Sequence, residues 1–233
     1  MNSERGREIQ GQAEHAREAG EFGKALELTD QATIQYAVDN DLQGLSEVQS
    51  SRLLTFRHLF EQTGKQEYLI LAKHAALTGV ELAEASGTPE TLSMPYFNLA
   101  KAYEAIGEVT NSIEYFKKAI DYKQKFPGKY HNRVGVIADM VGHLSMAEYK
   151  NGDKSALTRA EEALNQLQTS DEPQYNKDVW ASGAHMRIAE LTVTTDHESA
   201  VSHIRLAQSI IDQNPELILR KKQIAKLREK LSI

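Results

Sequence analysis

The chain has 233 residues, of which 40% are hydrophobic, and a formal net charge of −6. This composition allows a buried core, and the negative charge argues against a general nucleic-acid-binding protein, which needs a basic surface. The absence of cysteine excludes disulfide bonds and thiolate chemistry, and no apolar run is long enough for a signal peptide or a membrane span. We therefore expect a cytoplasmic protein without nucleic-acid or membrane partners.

Helical periodicity recurs along the chain in pairs of segments, and a turn divides each pair. The predicted turns are separated by 44, 43, 45 and 44 residues and lie at Gly20, Gly64, Gly107, Gly152 and Asp196. The predicted pairs cover residues 4–40, 42–86, 88–126, 129–169 and 173–213. A single pair cannot bury its apolar face alone, so we expect neighbouring pairs to pack against one another.

The first two pairs are predicted as helices over 4–19 and 22–39, and over 42–62 and 66–85. The boundary that follows has the strongest local signals, because Gly87 is suited to a helix C-terminus, Thr88 to an N-cap and Pro89 to a first helical position. A new helix is therefore predicted to begin at Pro89.

The third pair has a recognisable order of large and small residues around Gly107. At helical spacing it runs Tyr96, Leu99, Ala100, Tyr103, then Ser112, Phe116 and Ala119. This order resembles the tetratricopeptide repeat, with four departures: Tyr96 for Trp, Ala100 for Gly, Ser112 for Ala and Gln124 for Pro. Because the spacing between turns exceeds the usual repeat of about 34 residues, we expect extra helical turns in each pair.

The resemblance implies an all-α fold, a right-handed superhelical solenoid of five antiparallel helix pairs forming one domain over 1–233. The fourth pair is predicted to begin with a helix over 129–150, and Asp196 to cap the second helix of the fifth pair. A capping helix is predicted over 215–232, where six basic and two acidic residues give residues 215–233 a charge of +4. That charge favours either a solvated cap or a docking patch for an acidic partner.

No catalytic motif is present: the sequence lacks a phosphate-binding glycine loop, a His-Glu-x-x-His motif and a Gly-x-Ser-x-Gly motif. The eight histidines are scattered, and we expect only histidines from different repeats to meet. We predict no enzyme activity, no cofactor and no metal site. Trp180 is interpreted as a packing residue.

In proteins that resemble this family, the first helices of successive pairs line a concave groove that binds a peptide. When the pairs are aligned at their turns, the residues expected to line this groove occupy two equivalent positions in each pair. We call each set of equivalent residues a column. The first, nine residues before the turns, contains Thr55, Asn98, His143 and Arg187; the second, six residues before, contains Glu14, His58, Lys101, Met146 and Glu190. Asparagine and arginine there could bind peptide amides or a carboxylate, although any outward helical face is also polar.

We therefore predict a protein–protein interaction scaffold that binds a peptide or protein segment without catalysis. The alternative is a peptide-responsive regulatory sensor, similar to the bacterial quorum-sensing receptors built from such repeats. A sensor should become more compact on binding a short peptide, whereas a scaffold should not. The sequence leaves the partner, the pathway and the oligomeric state open.

Overall fold

The computed structural model describes residues 3–127 and 134–232. Within these residues the chain forms eleven α-helices and one short 3-10 helix, and no β-strand. The helices are α1 (Glu4–Glu18), α2 (Phe22–Val38), α3 (Leu42–Thr63), α4 (Glu67–Ala85), α5 (Ser93–Ala105), α6 (Val109–Lys125), α7 (Val134–Lys150), α8 (Ala156–Thr169), α9 (Gln174–Thr192), α10 (His197–Gln213) and α11 (Ile218–Leu231). The predicted all-α class, with five helix pairs and a C-terminal helix, is confirmed.

The turns inside the pairs depend on backbone conformations that glycine adopts without strain. Gly20, Gly64, Gly107 and Gly152 all have positive φ angles, between 72° and 106°. Asp196 instead caps α10, because its Oδ1 accepts a hydrogen bond from the Ser199 backbone N at 2.9 Å. All five positions thus lie where one helix of a pair ends and the next begins.

The chain divides into two compact units, Met1–Gly128 and Lys129–Ile233. In the first unit α1 packs on α2, α3 on α4 and α5 on α6, and α3 also packs against both α1 and α5. Its core is exemplified by the fully buried Tyr36, which packs with Ile9, Ala32 and Val48. The first helices α1, α3 and α5 therefore form one layer of this unit.

The second unit contains the pairs α7–α8 and α9–α10 and the additional helix α11. Helix α9 packs against α7 and α8, and α11 packs against α9 and α10 in the same manner. One core cluster joins Met146 of α7, Leu164 of α8 and Ile188 of α9, with Trp180 packed against it. The C-terminal helix contributes Leu217 and Ile224 to a second cluster with Ile211 of α10.

Several predicted boundaries differ from those observed. Pro89 begins a 3-10 helix, Pro89–Thr91, and the α-helix starts only at Ser93. The C-terminal helix begins at Ile218 rather than near Glu216. The predicted start of the fourth pair at Lys129 lies outside the described residues.

The extra length beyond a usual repeat is distributed unevenly. Helices α3 and α4 have 22 and 19 residues, so the second pair has the expected additional helical turns. Helices α5 and α6 have only 13 and 17 residues, and the segment between α4 and α5 supplies additional length there. Extra helical turns therefore account for some pairs and connecting segments for others.

Candidate functional site

The first predicted column is buried in the first unit. Thr55 of α3 has an exposed fraction of 0%, and its Oγ1 donates to the Ser51 carbonyl at 3.0 Å. Asn98 of α5 is only 7% exposed, and its Nδ2 donates to Ser50 Oγ on α3 at 2.9 Å. The expectation that these two side chains line an open groove is therefore corrected: Asn98 connects α5 to α3.

The second column is at least partly exposed in the same unit. His58 of α3 is half-buried; its ring stacks on Phe22 with centroids 5.8 Å apart, and its Nδ1 lies 3.1 Å from Glu61 Oε2. Lys101 of α5 is half-buried, with Nζ 4.9 Å from the centre of the Phe97 ring. Glu14 of α1 is exposed. Aromatic rings beneath polar tips suit contact with a polar segment.

Two glutamates that the columns omitted lie near these residues. Glu61 and Glu104 each follow a column residue, His58 and Lys101, by three positions, so each shares a helical face with it. Both are half-buried. We call the set Glu14, His58, Glu61, Lys101 and Glu104 the α1–α3–α5 face. Its mixed charge distinguishes it from an apolar packing surface, and the i, i+3 spacing was the signal that could have identified it.

In the second unit the predicted residues gather around one carboxylate. Arg187 Nη2 of α9 lies 4.0 Å from Asp139 Oδ1 of α7, and His143 Nε2 lies 3.9 Å from the same oxygen. Arg187 Nε donates to Met146 Sδ at 3.4 Å. The Arg187 side chain is 27% exposed, whereas Met146 is 2% exposed and belongs to the core. His143 is also buried.

The burial of His143 and Met146 corrects their assignment to an open groove. Helices α7 and α9 pack directly against each other, so positions facing outward from a lone helix face the neighbouring first helix here. Arg187 remains the accessible member of this group. Its guanidinium already neighbours Asp139, so a peptide carboxylate would compete with that residue for it. Glu190 of the second column is exposed and forms an ion pair with Lys230 of α11.

The sequence analysis did not identify a pair formed by the buried His185 and the partly buried His203. His185 of α9 and His203 of α10 are joined by a hydrogen bond of 2.8 Å between their Nδ1 atoms, and Gln168 of α8 lies 3.4 Å from His185 Nε2. Both belong to the fifth pair, so the expectation that only histidines of different repeats meet is wrong. Alignment to the turns could have identified this contact, because His185 and Tyr96 both lie eleven residues before the turn of their pair. Tyr96 packs against Tyr115 and Tyr122 of the second helix α6, and His185 packs in the same way against His203 of the second helix α10.

Burial lowers the pKa of His185 to about 4, with His203 contributing repulsion. Burial also lowers the pKa of His203, although Glu161 opposes that shift. Both shifts favour the neutral form of the imidazole rings. Among the residues described, no group of three or more His, Asp or Glu side chains is placed to hold a metal ion. Nor does any helix in 3–127 or 134–232 have the length and apolarity needed to cross a membrane.

Comparison with known proteins agrees with this architecture. Residues 95–126 match the tetratricopeptide repeat family. BtubC (BKLC) from P. vanneervenii is similar in structure, with a TM-score of 0.61 and 18% identity over 89% of this chain and 80% of that one. A Podosopora anserina protein described as a "putative kinesin light chain" with nearly identical TPR-like repeats has a TM-score of 0.56 and 15% identity over 98% and 97% of the two chains.

The chain has no significant match among curated proteins. The matched segment coincides with α5 and α6, the pair whose residues resemble the repeat signature. The structural neighbours extend the likeness in fold over the remaining helix pairs. Residues 95–126 therefore match the tetratricopeptide repeat, and the chain has a fold similar to that of a protein with TPR-like repeats.

Proposed function

We propose that the protein is a non-catalytic interaction scaffold that binds an extended peptide segment of another protein on the α1–α3–α5 face. The tetratricopeptide fold favours a role in protein–protein interaction. The observation that carries the proposal is the partly exposed pair His58 and Lys101 on neighbouring first helices, which contact the Phe22 and Phe97 rings. The cytoplasmic location expected from the sequence is part of the same proposal.

The chemistry of the face suits a peptide with both polar and charged groups. The Lys101 ammonium can donate to backbone carbonyls or a carboxylate, and the glutamates at 14, 61 and 104 can accept from backbone amides or a basic side chain. Because the supporting helices pack on one another, the face is formed before a ligand arrives, and binding avoids the cost of ordering a flexible receptor.

The test uses a display library of short random peptides selected on the purified chain, followed by fluorescence anisotropy with the best peptide. We expect His58→Ala and Lys101→Ala each to weaken its affinity by about tenfold, a loss typical of a contributing interface residue. Asn98→Ala is the matched control, because its side chain is buried between α3 and α5; it should lower the melting temperature with less effect on the affinity of the folded protein.

Failure to select any saturable binder, or unchanged affinity in both the His58 and Lys101 variants, would contradict the proposal. The same peptide distinguishes the sensor alternative through small-angle scattering. A scaffold should keep its radius of gyration on binding, whereas compaction would favour a peptide-responsive sensor.

A further inference from the structure

The C-terminal helix α11 takes the place of the first helix of another pair. It packs against α9 and α10 as α9 packs against α7 and α8. Its inner side carries the buried Ile224 and the partly buried Leu227, which together with Leu217 just before the helix contact the core clusters of α9 and α10. Within residues 134–232 no second helix lies along α11, although every other first helix in this range has one.

A groove opens between α10 and α11, where a second helix would lie. Its volume is about 630 Å³, and its lining includes Val201, Ile204, Arg205, Gln208, Asp212 and Arg228. Ile204 is buried at its floor, whereas Arg205 and Arg228 are exposed. The groove therefore combines a buried isoleucine with one arginine from each bordering helix and one acidic residue, Asp212.

The exposed flank of α11 extends this pattern along the helix. Ile218, Lys221, Ala225 and Arg228 follow one another at spacings of three, four and three, so they share one side of α11. All four are exposed, and Ile218 is 53% exposed despite being apolar. The flank thus alternates apolar and basic residues, as expected of a helix surface that receives another helix with acidic edges.

Four basic residues of α10 and α11 differ in their contacts. Arg220 donates to the Val179 carbonyl from Nε at 3.2 Å and from Nη2 at 3.0 Å, and Lys230 pairs with Glu190, so these two fasten α11 to α9. Arg205 and Lys221, in contrast, form no ion pair or hydrogen bond through their side chains with any described residue. The fastening residues support a capping role, and Arg205 and Lys221 remain available to a partner.

We propose that the α10–α11 groove binds an amphipathic α-helix of a partner protein, with an apolar stripe flanked by aspartates or glutamates. The partner helix would pack its apolar stripe on Ile218, Ala225 and the Ile204 floor, and its acidic edges against Arg205, Lys221 and Arg228. This surface lies in the second unit and is separate from the α1–α3–α5 face, so it goes beyond the scaffold function proposed above and is tested independently.

The probe is a fluorescein-labelled synthetic helical peptide with leucine and alanine on one stripe and glutamate along both edges, titrated with the purified chain. A peptide of the same composition, with its glutamates scattered around the helix, is the control ligand. We expect saturable binding of the first peptide only. Its affinity should fall as salt is added, because exposed charge pairs are screened.

Two double variants with equal charge changes test the location. Arg205→Glu with Lys221→Glu reverses charge on both sides of the groove and should weaken binding by about tenfold or more. Lys222→Glu with Lys65→Glu makes the same change at exposed positions outside the groove, and should keep the affinity within about twofold. Circular dichroism checks that both variants retain the helical content and melting temperature of the parent chain.

Equal loss of affinity in the two double variants would overturn the proposal, because the effect would then follow net charge. Equal binding of both peptides, or no saturable binding, would also overturn it. Sedimentation of the unmodified chain tests whether a second copy of the chain occupies the groove. A dimer that dissociates in the Arg205→Glu, Lys221→Glu double variant would show this, and it would contradict the proposal of a partner helix.

Discussion

At the scale of single residues, the packing of the first unit depends on two helical glycines that adjoin one aromatic ring. A Cβ added at Gly44 of α3 would lie 2.2 Å from atoms of the Tyr36 ring, and one at Gly6 of α1 would lie 2.6 Å from the same ring. Tyr36 is fully buried, and its hydroxyl donates to Gln10 Oε1 at 2.9 Å. The ring therefore fills the space that the two missing side chains leave.

We predict that Gly44→Ala destabilises the protein by about 1–3 kcal/mol, since the added methyl group must displace a ring that has no free space around it. The free energy of unfolding in urea measures the effect. Gly11→Ala, in the middle of α1, is the matched control, because nothing lies within 4 Å of its added Cβ. Alanine's higher helix propensity should stabilise that variant by up to about 1 kcal/mol. A neutral or stabilising Gly44→Ala would contradict the observed packing.

At the scale of helices, residues that recur with the same periodicity differ in their exposure to solvent. The column containing Thr55 and Asn98 is polar, yet both of these side chains are buried, and Asn98 contacts the neighbouring first helix α3. In the next column, three residues further along, His58 and Lys101 are partly exposed, whereas Met146 is buried. Sequence periodicity places residues on a helix face; only the packing of the next helix pair decides whether solvent reaches that face.

The contact between α9 and α10 makes a prediction about pH. Where His185 and His203 share a hydrogen bond through their Nδ1 atoms, one ring must remain unprotonated at that atom. Because the folded-state pKa of His185 is lowered from 6.5 to about 4, the unfolded chain binds more protons between these values. Stability is therefore full above the unfolded pKa and is lost as the pH falls toward the folded one.

The expected loss is at most about 3 kcal/mol across that pH range. Urea denaturation at a series of pH values gives the free energy of unfolding as a function of pH. We expect this free energy to fall as the pH is lowered, and His185→Gln should reduce the slope of that dependence. His197→Gln, at the exposed start of α10, should leave the slope unchanged. The groups facing the pair from α8 are Gln168 and Glu161, and Glu161 moderates the response of His203. Identical slopes for the unmodified chain and His185→Gln would refute a role for the pair.

At the scale of the whole molecule, the expectation of one domain over residues 1–233 stays a prediction beside the two compact units. Trp180 is the chain's single tryptophan and packs against the core of the second unit. Its fluorescence therefore reports the second unit, whereas circular dichroism reports helices in both. A single domain predicts that the two signals change at the same urea concentration.

A reporter in the first unit completes this experiment. Phe56 is buried in α3 and stacks on Tyr68 with ring centroids 6.5 Å apart, so Phe56→Trp combined with Trp180→Phe moves the fluorescent residue into the first unit. Coincident transitions from both reporters are expected for one cooperative domain. Separated transitions would show that the two units unfold as independent domains.

The sequence by itself determined the helical class, the five pairs and the positions of the turns. These features are local: apolar spacing fixes which residues can share a helix face, and a positive φ favours glycine wherever it occurs, as at Gly107. Tertiary structure decided that Asn98 and Met146 are buried, that His185 meets His203, and that a groove opens beside α11. Each of these depends on a neighbouring helix distant in sequence, whose contacts no local pattern specifies.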